Sequence, residues 1–167
     1  MIKKLLISTV ATATLSTAVL ADTYAGAGLA IESVSGLDSG FSLVLNGGKT
    51  LDDVKIGDGT LAVEGEFSYS IISPSLNYYY SYNTDISYMT LGAYAAYIYD
   101  INKEFYIKPR AGLVYISEDP SWGNNGIDLA ITFGGGYKFN KQMNIFADLN
   151  FGLGTITHLT AGVEYHF

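Results

Sequence analysis

From residue 22 onward the chain alternates apolar and polar residues with a period of two, the pattern of a strand whose two faces meet different surroundings. Turn-forming residues divide the alternation into eight runs, roughly 23–33, 40–49, 60–71, 87–99, 105–116, 128–139, 143–152 and 158–167. The odd positions hold Leu29, Ile31, Phe41, Leu43, Leu45, Val63, Phe67, Leu91, Leu113, Leu129, Phe133, Ile145, Phe151, Leu159 and Val163, among others, and none of these is charged. The even positions hold Glu32, Glu64, Glu66, Lys108, Arg110, Lys138, Asp148, Glu164 and His166, interleaved with Gly26, Gly28, Gly92, Gly112, Gly134, Gly136 and Gly162. One face of the sheet is apolar throughout, and the other is polar but small.

Parity does not say which face points outward. A lipocalin-like soluble barrel turns its apolar face inward, and a membrane barrel turns it to lipid. The small polar face is poor cover against water but suits the cramped lumen of an eight-stranded barrel. The aromatics add a second argument. With up-and-down topology, Tyr97, Tyr99, Phe105, Tyr137, Phe139, Tyr165 and Phe167 collect at the end where the chain starts, and Phe41, Tyr69, Tyr115 and Phe151 at the other. Two aromatic girdles are what the two interfaces of a bilayer select. Phe67 and Phe133, at mid-strand, do not follow this sorting. The expectation is an all-β, eight-stranded antiparallel up-and-down transmembrane barrel over residues 22–167.

The connections fit that expectation with one exception. "YDINKEF" and "KFNKQMN" read as tight turns at the end of the N-terminus, and "SPSLNYYYSYNTD" and "SEDPSWGNNG" as longer connections opposite. "KTLDDVKIGDG", over 49–59, is too long for a tight turn and reads as a local elaboration. "INKEFYIKPRAGL" and "FNKQMNIFADLNFGL" echo one another as hairpins and set Arg110 and Asp148 at matching positions, both facing inward.

The first 21 residues stand apart. Lys3 and Lys4 precede an apolar stretch from Leu5 to Leu20, and Val19-Leu20-Ala21 offers small residues for a cut before Asp22. Those three regions predict a secretory signal peptide over 1–21. Without it the chain keeps 7 Lys and Arg (9 minus Lys3 and Lys4) against 16 Asp and Glu, a net charge of −9. That acidity disfavours nucleic acid and anionic membrane surfaces as electrostatic partners. There is no cysteine, hence no disulfide framework.

At this point the ordered set "YAGAGLAIES", "LAVEGEFSYS", "FYIKPRAGLVY", "FGGGYKFNKQMNIFADLNF" and the final "GVEYHF" resembles the OmpA/OmpX-type small outer-membrane barrels. The resemblance covers the whole chain after the signal. It implies a Gram-negative outer membrane, a monomer, and lipid and lipopolysaccharide as surroundings. It also implies that Val163, Tyr165 and Phe167 form the signal read by the barrel-insertion machinery, while Phe167 doubles as a girdle aromatic.

Within the lumen, Glu64, Glu66, Lys108, Arg110, Asp148 and Glu164 are the candidates for a charge network. Strand-interior acids (Glu32, Glu64, Glu66, Asp148, Glu164) outnumber the bases Lys108, Arg110 and Lys138. That excess calls for trapped water, a raised carboxyl pKa or a cation. An eight-stranded interior is just filled by side chains, so the expected function is a non-enzymatic outer-membrane barrel contributing to envelope structure or surface contact. A small-solute or ion pore is the alternative, with a lipid-modifying enzyme or a soluble binder behind it. No catalytic residue, metal ligand or cofactor is expected. His158 and His166 are the only histidines, and "HLT" puts no serine nucleophile beside His158, which reads as a loop or rim residue. In the external loops Tyr78, Tyr79, Tyr80, Tyr82 and Trp122 are the candidate contacts for a host or surface ligand, because tyrosines among Ser and Asn make adaptable binding surfaces.

Overall fold

The computed structural model describes residues 22–34, 39–73, 87–119, 125–153 and 156–167. The predicted signal peptide (1–21) and the loop residues Tyr78, Tyr79, Tyr80, Tyr82 and Trp122 lie outside these. The described residues form β1 (Thr23–Val34), β2 (Gly40–Ile56), β3 (Gly59–Ile72), β4 (Ser87–Asp100), β5 (Phe105–Ile107), β6 (Arg110–Asp119), β7 (Gly126–Lys138), β8 (Met143–Leu153) and β9 (Ile156–His166). Successive strands pair antiparallel, except that β5 and β6 lie end to end and both pair with β4 and β7, and β9 returns to pair with β1, so the sheet closes on itself. Closure leaves no open edge, which a bilayer requires because its core offers no water to unpaired backbone groups.

Nine strands stand where the alternation predicts eight, and one residue accounts for the difference. Pro109 has no N–H to give to a ladder, so the fifth predicted strand divides into β5 and β6. The register against β4 and β7 is the same on both sides of the break. Lys108 N still donates to Gly134 O at 2.7 Å, and Pro109 O accepts from Tyr97 N at 2.9 Å. The barrel therefore has eight staves, one of them interrupted.

The 49–59 stretch differs more. It is not a loop: β2 continues to Ile56 and turns at Gly57-Asp58 into β3. Between Leu51 and Lys55 the register shifts, with three extra residues on β2, so the hairpin carries a bulge. Gly57, at φ 62°, takes a corner that side chains disfavour. Tyr97 closes the hairpin, its hydroxyl donating to Ile56 O at 2.8 Å while its ring covers Gly59.

The two faces separate cleanly. Leu29, Ile31, Leu43, Val63, Leu91, Leu113, Leu129, Ile131, Phe133, Ile145 and Val163 are all exposed on the outside. Inside lie the charged and hydroxyl residues together with two apolar clusters, Tyr24, Ala62 and Ala96 toward the end bearing the termini, and Tyr88, Tyr94, Val114, Ile116 and Ala130 toward the other. A water-soluble barrel would have the opposite arrangement. Leaving that much aliphatic surface outside is stable only in an apolar solvent.

Candidate functional site: the lumen charge network

Parity sends the even side chains of the regular strand segments into the barrel, and closure brings these side chains from different strands to one level. Lys108 sits at the break between β5 and β6. It is 1% exposed, and its ammonium lies 3.0 Å from Glu64 on β3 and 2.6 Å from Glu164 on β9. Arg110, first residue of β6, reaches three carboxylates: Glu64 at 2.8 Å, Glu66 at 3.0 Å and Asp148 on β8 at 3.0 Å. The six sequence candidates thus meet in one connected cluster. Arg110 and Asp148, matched by the hairpin echo, are in direct contact.

Neutral groups tie the cluster to the remaining strands. Tyr24 on β1 donates its hydroxyl to Glu64. Asn46 on β2 donates to Glu164 at 3.0 Å, and Tyr106 on β5 donates to the same carboxylate at 3.3 Å. Tyr94 on β4 donates to Glu66 at 3.4 Å and stacks under the Arg110 guanidinium at 4.8 Å. β7 offers the cluster space. A side chain at Gly134 would collide with Asp148, and one at Gly136 would meet the Tyr106 ring. The inward glycines are thus beds for large neighbours. With them, every stave takes part in a crossbar through the lumen.

Ion pairs in such a place need good geometry, because each desolvated charge costs several kcal/mol. Here each carboxylate of the cluster has a cation within 3.0 Å. At the end bearing the termini a vestibule of about 160 Å³, lined by Asp52, Asp100, Lys138 and His166, narrows onto Lys108 and Glu164. Lys138 lies at this rim and pairs with Asp100 at 2.6 Å, so the third predicted interior base does not join the buried cluster.

A second polar group lies further along the lumen. Glu32, fully buried, accepts from Ser42 and, at 3.4 Å, from Ser70. His158 stands 4.0 Å from it and contacts the Tyr88 hydroxyl at 3.1 Å. His158 is therefore not the loop or rim residue that the sequence suggests. It pairs with Glu32 across β1 and β9 and is buried in the wall. Parity gave its direction; its height needed the register. His166 sits at the terminal rim, its ring stacked on Tyr24 at 5.1 Å.

The predicted girdle residues are on the outer surface. Phe105 packs on Tyr137 at 5.2 Å and Tyr165 on Phe167 at 5.1 Å, Phe139 is exposed, and Tyr97 and Tyr99 are half-buried. The backbone N–H of Phe167 donates to Thr23 O at 3.0 Å, so the last residue is held against the first strand.

A closed antiparallel sheet with an apolar exterior and a hydrogen-bonded, charged interior defines an integral membrane β-barrel. The chain matches the family described as outer membrane protein beta-barrel domain over residues 5–167, and it belongs to that family. Its place is accordingly the outer membrane of a Gram-negative bacterium. Among solved structures it is similar to Neisserial surface protein A, at 25% identity over 87% of this chain and 96% of that one, with a TM-score of 0.55. It is also similar to the outer membrane protein OprG of Pseudomonas aeruginosa, at 13% identity over 88% and 96% with a TM-score of 0.60. A third likeness is to the outer membrane enzyme PagL, at 14% identity over 85% and 99% with a TM-score of 0.51. The last two likenesses concern fold alone. No curated protein sequence matches the chain at a significant level.

Proposed function

We propose that this protein is a non-enzymatic outer-membrane barrel whose lumen is plugged by its own side chains, and that it serves the envelope as a structural element with a surface-contact role at its loops. The observation that carries the plug is the cluster itself. Two buried cations hold four carboxylates from β3, β8 and β9 across the interior, and tyrosines from β1, β4 and β5 fill the space between. A crossbar anchored on so many staves supports a sealed lumen.

The fold by itself does not decide against an enzyme, since PagL shares it. The non-enzymatic reading is supported by the engagement of both histidines. His158 is spent on Tyr88 and Glu32 inside the wall, and His166 on Asn144 at 2.8 Å. Neither has a serine hydroxyl as hydrogen-bond partner among the described residues, as a Ser-His nucleophile pair requires.

Liposome swelling with purified protein tests the plug. Swelling in pentose or amino-acid solutions no faster than in protein-free liposomes is expected, and solute-dependent swelling would replace the plug with a small-solute pore. For the loops, the support is the Tyr78–Tyr82 stretch in the sequence and the likeness to a protein named for its surface location. Deleting residues 77–83 should abolish surface adhesion while the barrel still folds. Export would use residues 1–21, so N-terminal sequencing of membrane-extracted protein should begin at Asp22. In assembly, Val163, Tyr165 and Phe167 would be the residues read by the insertion machinery, and the inserted protein would be a monomer.

A further inference from the structure

The crossbar has an imbalance that its own residues do not close. Glu64, Glu66, Asp148 and Glu164 set four buried carboxylates against the two cations Lys108 and Arg110, leaving two negative charges. Most of the shortage falls on β7 and β8, although Asn46 Oδ1 and the Arg110 Nε donor also lack a hydrogen-bond partner among the described residues. Among the described residues no hydrogen-bond donor reaches either oxygen of Asp148, nor Asn150 Oδ1, nor Thr132 Oγ1. Arg110 lies 3.0 Å from Asp148 Oδ2 as an ion pair only. Asp148, Asn150 and Thr132 are 2%, 3% and 0% exposed. Buried polar atoms are rarely left without a partner, and each one costs about 1–3 kcal/mol.

These oxygens occupy neighbouring inward positions. Thr132 pairs with Asn150 across β7 and β8, and Gly134 pairs with Asp148 one step along the same ladder. Asp148 Oδ1 lies over Gly134, in the space a Cβ would fill, which turns the carboxylate toward the strand that carries Thr132. Thr132 and Asn150 are directly opposed, with Cβ atoms about 5 Å apart, and Asp148 is their diagonal neighbour at about 7–8 Å; the turn of its carboxylate over Gly134 closes part of that gap. All three offer oxygens; no sulfur or imidazole takes part, and oxygen-only donor sets select hard cations.

We infer that Asp148, Asn150 and Thr132 form an intraluminal binding site for a hard, oxygen-preferring cation, whose charge completes the crossbar. The inference goes beyond the plug reading, because an ion bound here is compatible with a conducting or a sealed lumen.

The test uses the full chain refolded in detergent with Ca²⁺ or Mg²⁺, freed of unbound ion by gel filtration, and analysed for metal by mass spectrometry. About one ion per folded chain is expected. Tb³⁺ loaded in its place should show tyrosine-sensitised luminescence, because Tyr94 lies 3.3 Å from the Asn150 amide. Asp148→Asn should lose the ion and the luminescence. Thr132→Val, which removes one hydroxyl at nearly constant volume, should weaken both, and it decides the matter where Asp148→Asn fails to fold. Melting in NaCl against choline chloride at equal ionic strength distinguishes the ion's valence. A sodium-specific rise in melting temperature that Thr132→Val abolishes, without retained divalent metal, assigns the site to a monovalent ion. Absence of both retained metal and a sodium-specific shift would overturn the inference, as would retention unchanged in both variants.

Discussion

Replacing Arg110 by Met isolates the energetics of the crossbar. The guanidinium contacts Glu64, Glu66 and Asp148 at 2.8, 3.0 and 3.0 Å. Their consequences differ, because Glu64 keeps Lys108 at 3.0 Å, whereas Glu66 and Asp148 have no other salt-bridge partner among the described residues. Arg110→Met therefore strands two buried carboxylates. Breaking a buried pair by removing one partner costs about 3–5 kcal/mol, a factor of roughly 10²–10⁴ in the folding equilibrium at 1.36 kcal/mol per decade. The assay is urea unfolding in lipid vesicles, followed by circular dichroism and by heat-modifiable gel migration. A companion variant, Arg110→Met with Glu66→Gln and Asp148→Asn, removes the stranded charges with the cation and should recover most of the loss, since replacing a whole buried ion group is often neutral. A loss below about 1 kcal/mol for Arg110→Met would refute the reasoning, because surface-like screening would then reach the cluster. So would a triple variant as unstable as the single one.

Three further outcomes follow from the same geometry. Leu113→Arg places a charge on the outer face opposite Ala93, midway along β4, and should cost about 2–4 kcal/mol on refolding into vesicles; no measurable cost would put that face toward water. Gly134→Ala drives a methyl group into the Asp148 carboxylate and toward Ala147 O at 3.4 Å, and should destabilise by about 1–3 kcal/mol in the same urea assay. Tyr97→Phe removes the hydrogen bond to Ile56 O and should raise proteolysis at the 52–58 hairpin without altering barrel migration on gels.

Period-two alternation exposed the faces and most strand limits, because a barrel wall forces each side chain to choose lumen or bilayer and the choice repeats without drift. It failed where the repeat breaks. The bulge after Leu51 leaves the even residues Val54 and Ile56 exposed, and Asp52-Asp53 imitates a turn, so a strand hairpin reads as a loop. Pro109 ends the ladder assignment without ending the strand. The members of the charge network were legible from parity, but their pairing was not. Arg110 meets Asp148 diagonally across β7, where Thr132 faces Arg110 and Gly134 faces Asp148, and only register and the missing Cβ at Gly134 reveal it. The Glu32 group was harder still. Its partners Ser42, Ser70 and Tyr88 are ordinary strand residues whose proximity to His158 depends on closure between β1 and β9.

The most direct test of the sealed lumen is single-channel recording from purified protein in planar bilayers. The crossbar predicts a silent membrane, or at most brief small steps, for the wild type, with more frequent openings in Arg110→Met. A stable, large conductance from the wild-type monomer would contradict it.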